Sequence, residues 1–118
     1  MIFKTTDTSE YFLDEGCFIR EIMNTSDISN VSISQARVEV GKTTELHTLT
    51  ADEMYYILSG KGEVEIAGNA KQLVTVGDVA YIKAEATQRI TNTGDEDLIF
   101  LCICAPRFTP DKYKSVPE

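Results

Sequence analysis

Apolar residues in this chain recur at alternate positions over short runs and nowhere keep the three-to-four spacing of a long amphipathic helix. The first ten residues turn polar after the opening three and are expected to be loosely held or to form an edge segment. Tyr11-Phe-Leu13 starts an extended piece that Asp14-Glu-Gly16 stops. Cys17 to Met23 mixes apolar and charged positions; it is predicted as a strand, with a short helical turn as the alternative. Between Val31 and Val40 the alternation switches phase. Val31, Ile33 and Gln35 fall on one face and Ala36, Val38 and Val40 on the other, so a bulge or bend is expected there. Arg37 and Glu39 share a face, which is either solvent or the polar wall of a pocket.

Gly41 interrupts the pattern, and Leu46 to Thr50 resumes extended chain. Glu53 to Leu58 is predicted as a strand with Glu53, Tyr55 and Ile57 on one face and Met54, Tyr56 and Leu58 on the other. Large apolar side chains on both faces imply that both are covered. Ser59-Gly-Lys-Gly62 is a strong hairpin signal. Glu63 to Ala67, Gln72 to Val76 and Val79 to Ile82 follow as strands, separated by Gly68-Asn69 and Gly77-Asp78. Gln88 to Asn92 is extended, Thr93 to Asp97 is a turn, and Leu98 to Ala105 is the most apolar strand. The segment from Pro106 onward is polar and carries three prolines, so irregular, partly docked chain is expected. Roughly nine to eleven short strands separated by turn signals predict an all-β barrel or sandwich.

Composition narrows the function classes. A chain of 118 residues with 42% hydrophobic and 25% charged content is long enough to bury a core as one domain, 1–118, without staples. A net charge of -8 opposes association with nucleic acid or anionic membrane, and the basic residues are too scattered to form a patch. The longest apolar run, Leu98 to Ala105, is too short to span a bilayer, and the polar N-terminus does not resemble a signal peptide. Three cysteines, Cys17, Cys102 and Cys104, are an odd number and do not suggest a disulfide framework. A reducing, cytoplasmic setting is the expectation.

The only histidine, His47, lies in Gly41-x5-His47-x-Leu49-x3-Glu53-x6-Gly60, and a second spaced segment runs from Gly77-Asp-Val through Gln88 to Asn92. Together these two segments resemble the paired motifs of the cupin family, over about residues 31–105. The resemblance implies a cupin jelly-roll β-barrel with a central pocket, commonly homodimeric and often holding a divalent metal; the strands over 11–23 and the tail 106–118 lie outside the motif region. Metal-binding cupins typically present two histidines and a glutamate in the first motif and a third histidine in the second. Here Leu49 and Gln88 stand at two of those histidine positions, and Lys83 and Glu85 replace the usual proline and glycine. The segments Glu15-Gly-Cys17, Ala36-Arg-Val38, Tyr56-Ile-Leu58, Gln88-Arg-Ile90 and Cys104-Ala-Pro-Arg-Phe108 resemble a subgroup of small single-domain, RmlC-like cupins in which this leucine and glutamine are habitual.

Leucine donates nothing to a metal, so the resemblance leaves His47, Glu53 and Gln88 as a weak three-point site for Mn, Fe, Ni or Zn, weakly held or absent. The alternative is a buried polar pair satisfied by Gln88. Tyr55, on the Glu53 face, is a candidate donor to a ligand or a core tyrosine with one hydrogen bond. Arg37 is a candidate clamp for a carboxylate or phosphate if its face lines the pocket, and otherwise a solvated strand residue. Cys102 and Cys104 share a strand face and read as small core residues rather than thiolate ligands. Arg89 should point away from Gln88, to the surface or a dimer contact. The leading expectation is a homodimer, paired through the apolar faces of Met54, Tyr56 and Leu58, that binds a small polar molecule in its barrel. The alternative is an isomerase, epimerase or lyase acting on a sugar or small carboxylate, with His47 or Glu53 as the catalytic acid or base.

Overall fold

The computed structural model describes residues 1–118 and consists of eleven strands and two short 3₁₀ turns. The strands are β1 (Tyr11–Leu13), β2 (Cys17–Met23), β3 (Ser32–Val38), β4 (His47–Leu49), β5 (Asp52–Ser59), β6 (Lys61–Ile66), β7 (Gln72–Thr75), β8 (Val79–Ile82), β9 (Gln88–Asn92), β10 (Leu98–Ala105) and β11 (Tyr113–Ser115). They form two antiparallel sheets, one of six strands in the order β1-β2-β3-β10-β5-β8 and one of five in the order β11-β4-β9-β6-β7. This is the all-β architecture expected from the alternation pattern, in the jelly-roll form that the motif resemblance implies.

The two sheets face each other across a single apolar cluster. Strand alternation puts Leu98, Phe100, Cys102 and Cys104 of β10 inward, and Tyr55 and Ile57 of β5 beside them. Val64 and Ile90 close the cluster from the opposite sheet. Phe100 is fully enclosed, and its ring lies 4.5 Å from that of Tyr55. Truncating such a ring costs about 3–5 kcal/mol, so β10 anchors the fold.

The passage from β5 in one sheet to β6 in the other, two strands that do not pair with each other, depends on two glycines. Gly60 has φ +82° in the left-handed region, and a Cβ there would lie 2.7 Å from the Asp97 carbonyl oxygen. Gly62 has ordinary backbone angles, but a Cβ would lie 2.6 Å from the Thr91 carbonyl oxygen and 2.8 Å from the Leu98 side chain. The hairpin expected at Ser59–Gly62 is corrected: the glycines mark a bend between the two sheets, where β9 and β10 approach closely, and not a pair of adjacent strands.

Cys17 to Met23 is a strand, as expected. Two further expectations are corrected. The bulge expected in β3 is absent: its ladder with β10 runs unbroken from Val38 opposite Leu98 to Ser32 opposite Cys104. The irregularity lies in β2, between Glu21 and Met23, and the inward face of β3 is Ser32, Ser34, Ala36 and Val38. Small serines, not a phase switch, account for the weak apolar signal at the start of that strand. The tail after Pro106 is not wholly irregular, because Tyr113–Ser115 pairs antiparallel with β4 and extends the five-stranded sheet.

Candidate functional site

A cavity of about 750 Å³ opens between the sheets. The six-stranded sheet supplies its floor through inward side chains of β2, β3, β5 and β10, and β4 with β11 forms the facing wall. Register sets the floor: Cys104 pairs with Glu53 and Cys102 with Tyr55, residues about fifty positions apart in sequence.

Glu53 is 6% exposed. Its Oε2 accepts a hydrogen bond from the Cys104 thiol at 3.5 Å, and no side chain completes a hydrogen bond to Oε1. Burial pushes its carboxyl up to about 7, because the charged form loses water; the nearby Gln88 amide and Cys104 thiol oppose part of that rise, and the charge of Glu15 adds to it. A buried acceptor without a partner costs on the order of 1–3 kcal/mol, so Oε1 is left in need of a donor.

His47 is buried on β4 and stacks on Tyr113 of β11, ring centroids 4.7 Å apart. Its Nδ1 lies 2.7 Å from the Glu45 carbonyl oxygen. A carbonyl only accepts, so Nδ1 carries the hydrogen and Nε2 is the nitrogen left to bind. Tyr55 is buried on β5, and its hydroxyl donates to the Gln88 amide oxygen. That choice of amide orientation follows from chemistry, since it leaves the NH₂ of Gln88 toward the Glu53 carboxyl. Burial and the Glu53 charge hold the Tyr55 hydroxyl well above its usual range, so it stays a neutral donor.

His47, Glu53 and Tyr55 therefore line one cavity, with Gln88 packed behind them as register partner of His47. Arg37 does not join them. It sits on the outer face of β3, where its guanidinium pairs with Glu10 at 2.8 Å and Asp97 at 3.1 Å and lies 4.1 Å over the Phe18 ring. Ser32, Ser34, Ala36 and Val38 occupy the inner face of that strand, so alternation turns Arg37 outward. Arg89 also points outward, to Glu65 and Glu118.

All three cysteines are buried, free and on the cavity wall. Burial drives each thiol upward, so they are packing groups and not nucleophiles. Sequence reading missed Cys17, Glu15, Glu45 and Tyr113 as cavity residues. Glu45 lies inside the first spaced motif, and Tyr113 begins an alternation of only three residues; neither signal stands out without the pairing of β11 to β4.

The family model described as the cupin domain matches residues 34–104, well over half of the chain. The chain belongs to the cupin family. It is 35% identical over 102 residues to the uncharacterized protein MJ1618 of Methanocaldococcus jannaschii, a match covering 84% of this cupin and 81% of that protein. Among solved structures it resembles oxalate decarboxylase from Bacillus subtilis, with a TM-score of 0.84 at 23% identity over 97% of this chain. This cupin spans only 31% of that enzyme's length. KdgF from Halomonas superposes with a TM-score of 0.80 at 17% identity, covering 94% of this chain and 96% of that one. At these identities the structural likenesses speak to fold alone.

A metal ion is implied by the resemblance, and the donor set here does not fit one. No three His, Cys, Asp or Glu side chains converge in a way that would hold a cation. The remaining candidate, the Gln88 carbonyl oxygen, is occupied by the Tyr55 hydroxyl. Leu49 fills the second imidazole position as a buried apolar side chain. The three-point site expected from His47, Glu53 and Gln88 is thus not assembled, because Gln88 is spent on fixing Tyr55.

Proposed function

We propose that this cupin binds a small polar organic molecule in its barrel, held by Glu53, His47 and Tyr55. One observation carries the reading: the unpartnered Oε1 of Glu53 at the floor of a cavity large enough for a small ligand. A donor group on the ligand would complete the hydrogen bond the protein leaves open, and Nε2 of His47 would accept or donate a second. Gln88 and Glu45 act as positioning residues, fixing Tyr55 and the His47 ring. The test is a melting-temperature panel of sugars, amines, polyols and small carboxylates. Binders should raise the melting temperature of the wild type, and His47→Ala or Glu53→Gln should remove the rise. A panel with no binder, or shifts untouched by both substitutions, would remove the pocket from consideration.

A second reading is an isomerase-, epimerase- or lyase-type enzyme in which Glu53 moves a proton. It is favoured by a carboxyl held at about 7, where acid and base forms coexist near neutrality. Such a step is metal-free as far as these residues go, and a rate dependent on Glu53 but insensitive to chelators is its signature. Both readings include a homodimer in the cytoplasm. Tyr56, Leu58, Val79 and Tyr81 leave a contiguous apolar area on the outer face of β5 and β8, between 40% and 60% exposed, which a second copy would cover.

A further inference from the structure

The cavity wall carries a one-sided charge balance. Asp14, Glu15, Glu21, Glu45 and Glu53 all line it, against the single guanidinium of Arg107 and the imidazole of His47. Every salt bridge of the molecule lies elsewhere, formed by Arg37 and Arg89 on outer faces. The cavity carboxyl groups are instead bonded to neutral donors. Glu15 accepts from the Cys17 thiol at 3.0 Å, and Glu45 accepts from Ser115 at 2.8 Å and from the Tyr113 hydroxyl. Glu21 has the Asn24 amide at 3.5 Å. Arg107 gives its Nε hydrogen to Asn24, so it does not neutralise any of them. Glu53 adds an independent pointer to a ligand, since it is more than nine-tenths buried with Oε1 unpartnered.

We propose that the cavity selects an organic ammonium ion, a primary amine or diamine on a short apolar body, and rejects carboxylates and phosphates. The carboxyl groups are spread around the cavity rather than gathered on one point, which suits N–H donors on an extended molecule and not a bare metal ion. Between them the wall is apolar and aromatic. Leu49, Phe100 and the faces of Tyr55 and Tyr113 offer contact for methylene groups and a π-surface for the cationic end. An anion would enter a field of its own sign and leave Glu53 with two acceptors face to face.

The inference rests on the cavity being a small-molecule site, and a four-carbon series of matched length separates the two claims. Binding of 1,4-diaminobutane, 1,4-butanediol and succinate to the full chain is measured by isothermal titration calorimetry at one ionic strength. The diamine should bind on the order of tenfold more tightly than the diol, with succinate weaker still. Glu53→Gln and Glu15→Gln should each weaken diamine binding on the order of tenfold. Glu39→Gln, which removes the same charge from an exposed position outside the cavity, should change it by less than about twofold. Equal losses in all three variants would mean diffuse attraction to an acidic protein and would overturn the proposal. Absence of diamine binding also overturns it. Succinate or diol binding that Glu53→Gln abolishes would leave the pocket reading standing and remove only the charge preference; failure of every compound in the wider panel removes both.

Discussion

Glu53 is the residue on which the proposed function turns, and its effect on stability has a definite sign. A carboxyl held at about 7 in the folded chain and 4.5 as its ordinary value binds more protons folded than unfolded between those limits. Its contribution to stability is therefore greatest below about 4.5, falls as pH rises through the window, and levels off above about 7. The shift corresponds to roughly 3 kcal/mol at alkaline pH. Glu53→Gln keeps the shape and removes the charge, so it should be more stable than the wild type at pH 8, by about 2 kcal/mol, and nearly equal to it near pH 4.5. Urea denaturation at the two pH values measures this. A variant less stable at pH 8 would mean that the carboxylate has a partner in solution. The position of Glu53 six residues after the only histidine was visible in the sequence. Its lone acceptor oxygen was not, because that depends on Cys104 and Gln88 arriving from β10 and β9.

At the scale of elements, the turns carry two opposite lessons about glycine. Gly62 sits inside β6 with no room for a methyl group, so Gly62→Ala should cost on the order of 2–3 kcal/mol through clashes with the Thr91 carbonyl and Leu98. Glu85, at a position where the family resemblance leads one to expect glycine, retains a left-handed φ of 72° and donates its backbone N–H to the Leu49 carbonyl at 2.7 Å. The side chain is exposed, so nothing in the packing offsets the strain. Glu85→Gly should raise stability by about 0.5–1 kcal/mol, the relief of strain exceeding the added freedom of the unfolded chain. Chemical denaturation midpoints of the two variants should move in opposite directions. The same bond from Glu85 to Leu49 ties the second motif to the strand carrying His47. A substitution that looked like a loss of motif therefore keeps the backbone geometry that the motif serves.

For the whole molecule, the outer face of the six-stranded sheet is the feature that a lone chain leaves unfinished. Met54 pairs with Tyr81 and Tyr56 with Val79 across β5 and β8, so the apolar outer positions form one area rather than scattered points. Tyr56→Glu should place a charge in the middle of the interface proposed above and convert the dimer to monomer, raising the dimer dissociation constant on the order of a hundredfold. Analytical ultracentrifugation over a concentration series reads this directly; a wild type that sediments as a monomer throughout removes the dimer. The net charge of -8 acts at the same scale, since it adds to the repulsion of anions that the cavity carboxyl groups begin.

Strand alternation and turn chemistry determined the all-β architecture from local sequence alone, because a period of two and a required φ are properties of neighbouring residues. The positions of His47, Glu53 and Gln88 were legible in another way, through the resemblance of two spaced segments to cupin motifs, and alternation added Tyr55 on the Glu53 face; the cupin family model matches residues 34–104. What each of those residues does was decided only by tertiary pairing. Gln88 became a support for Tyr55 instead of a metal ligand, and Arg37 turned outward to Glu10 and Asp97. Tyr113 came from the tail to stack on His47. Each outcome depends on contacts between strands distant in sequence, where one residue's partner is set by register and not by spacing. The acidity of the cavity belongs to the same class. Asp14 and Glu15 share the turn before β2, while Glu21, Glu45 and Glu53 come from other parts of the chain, and only the fold brings these charges to one cavity.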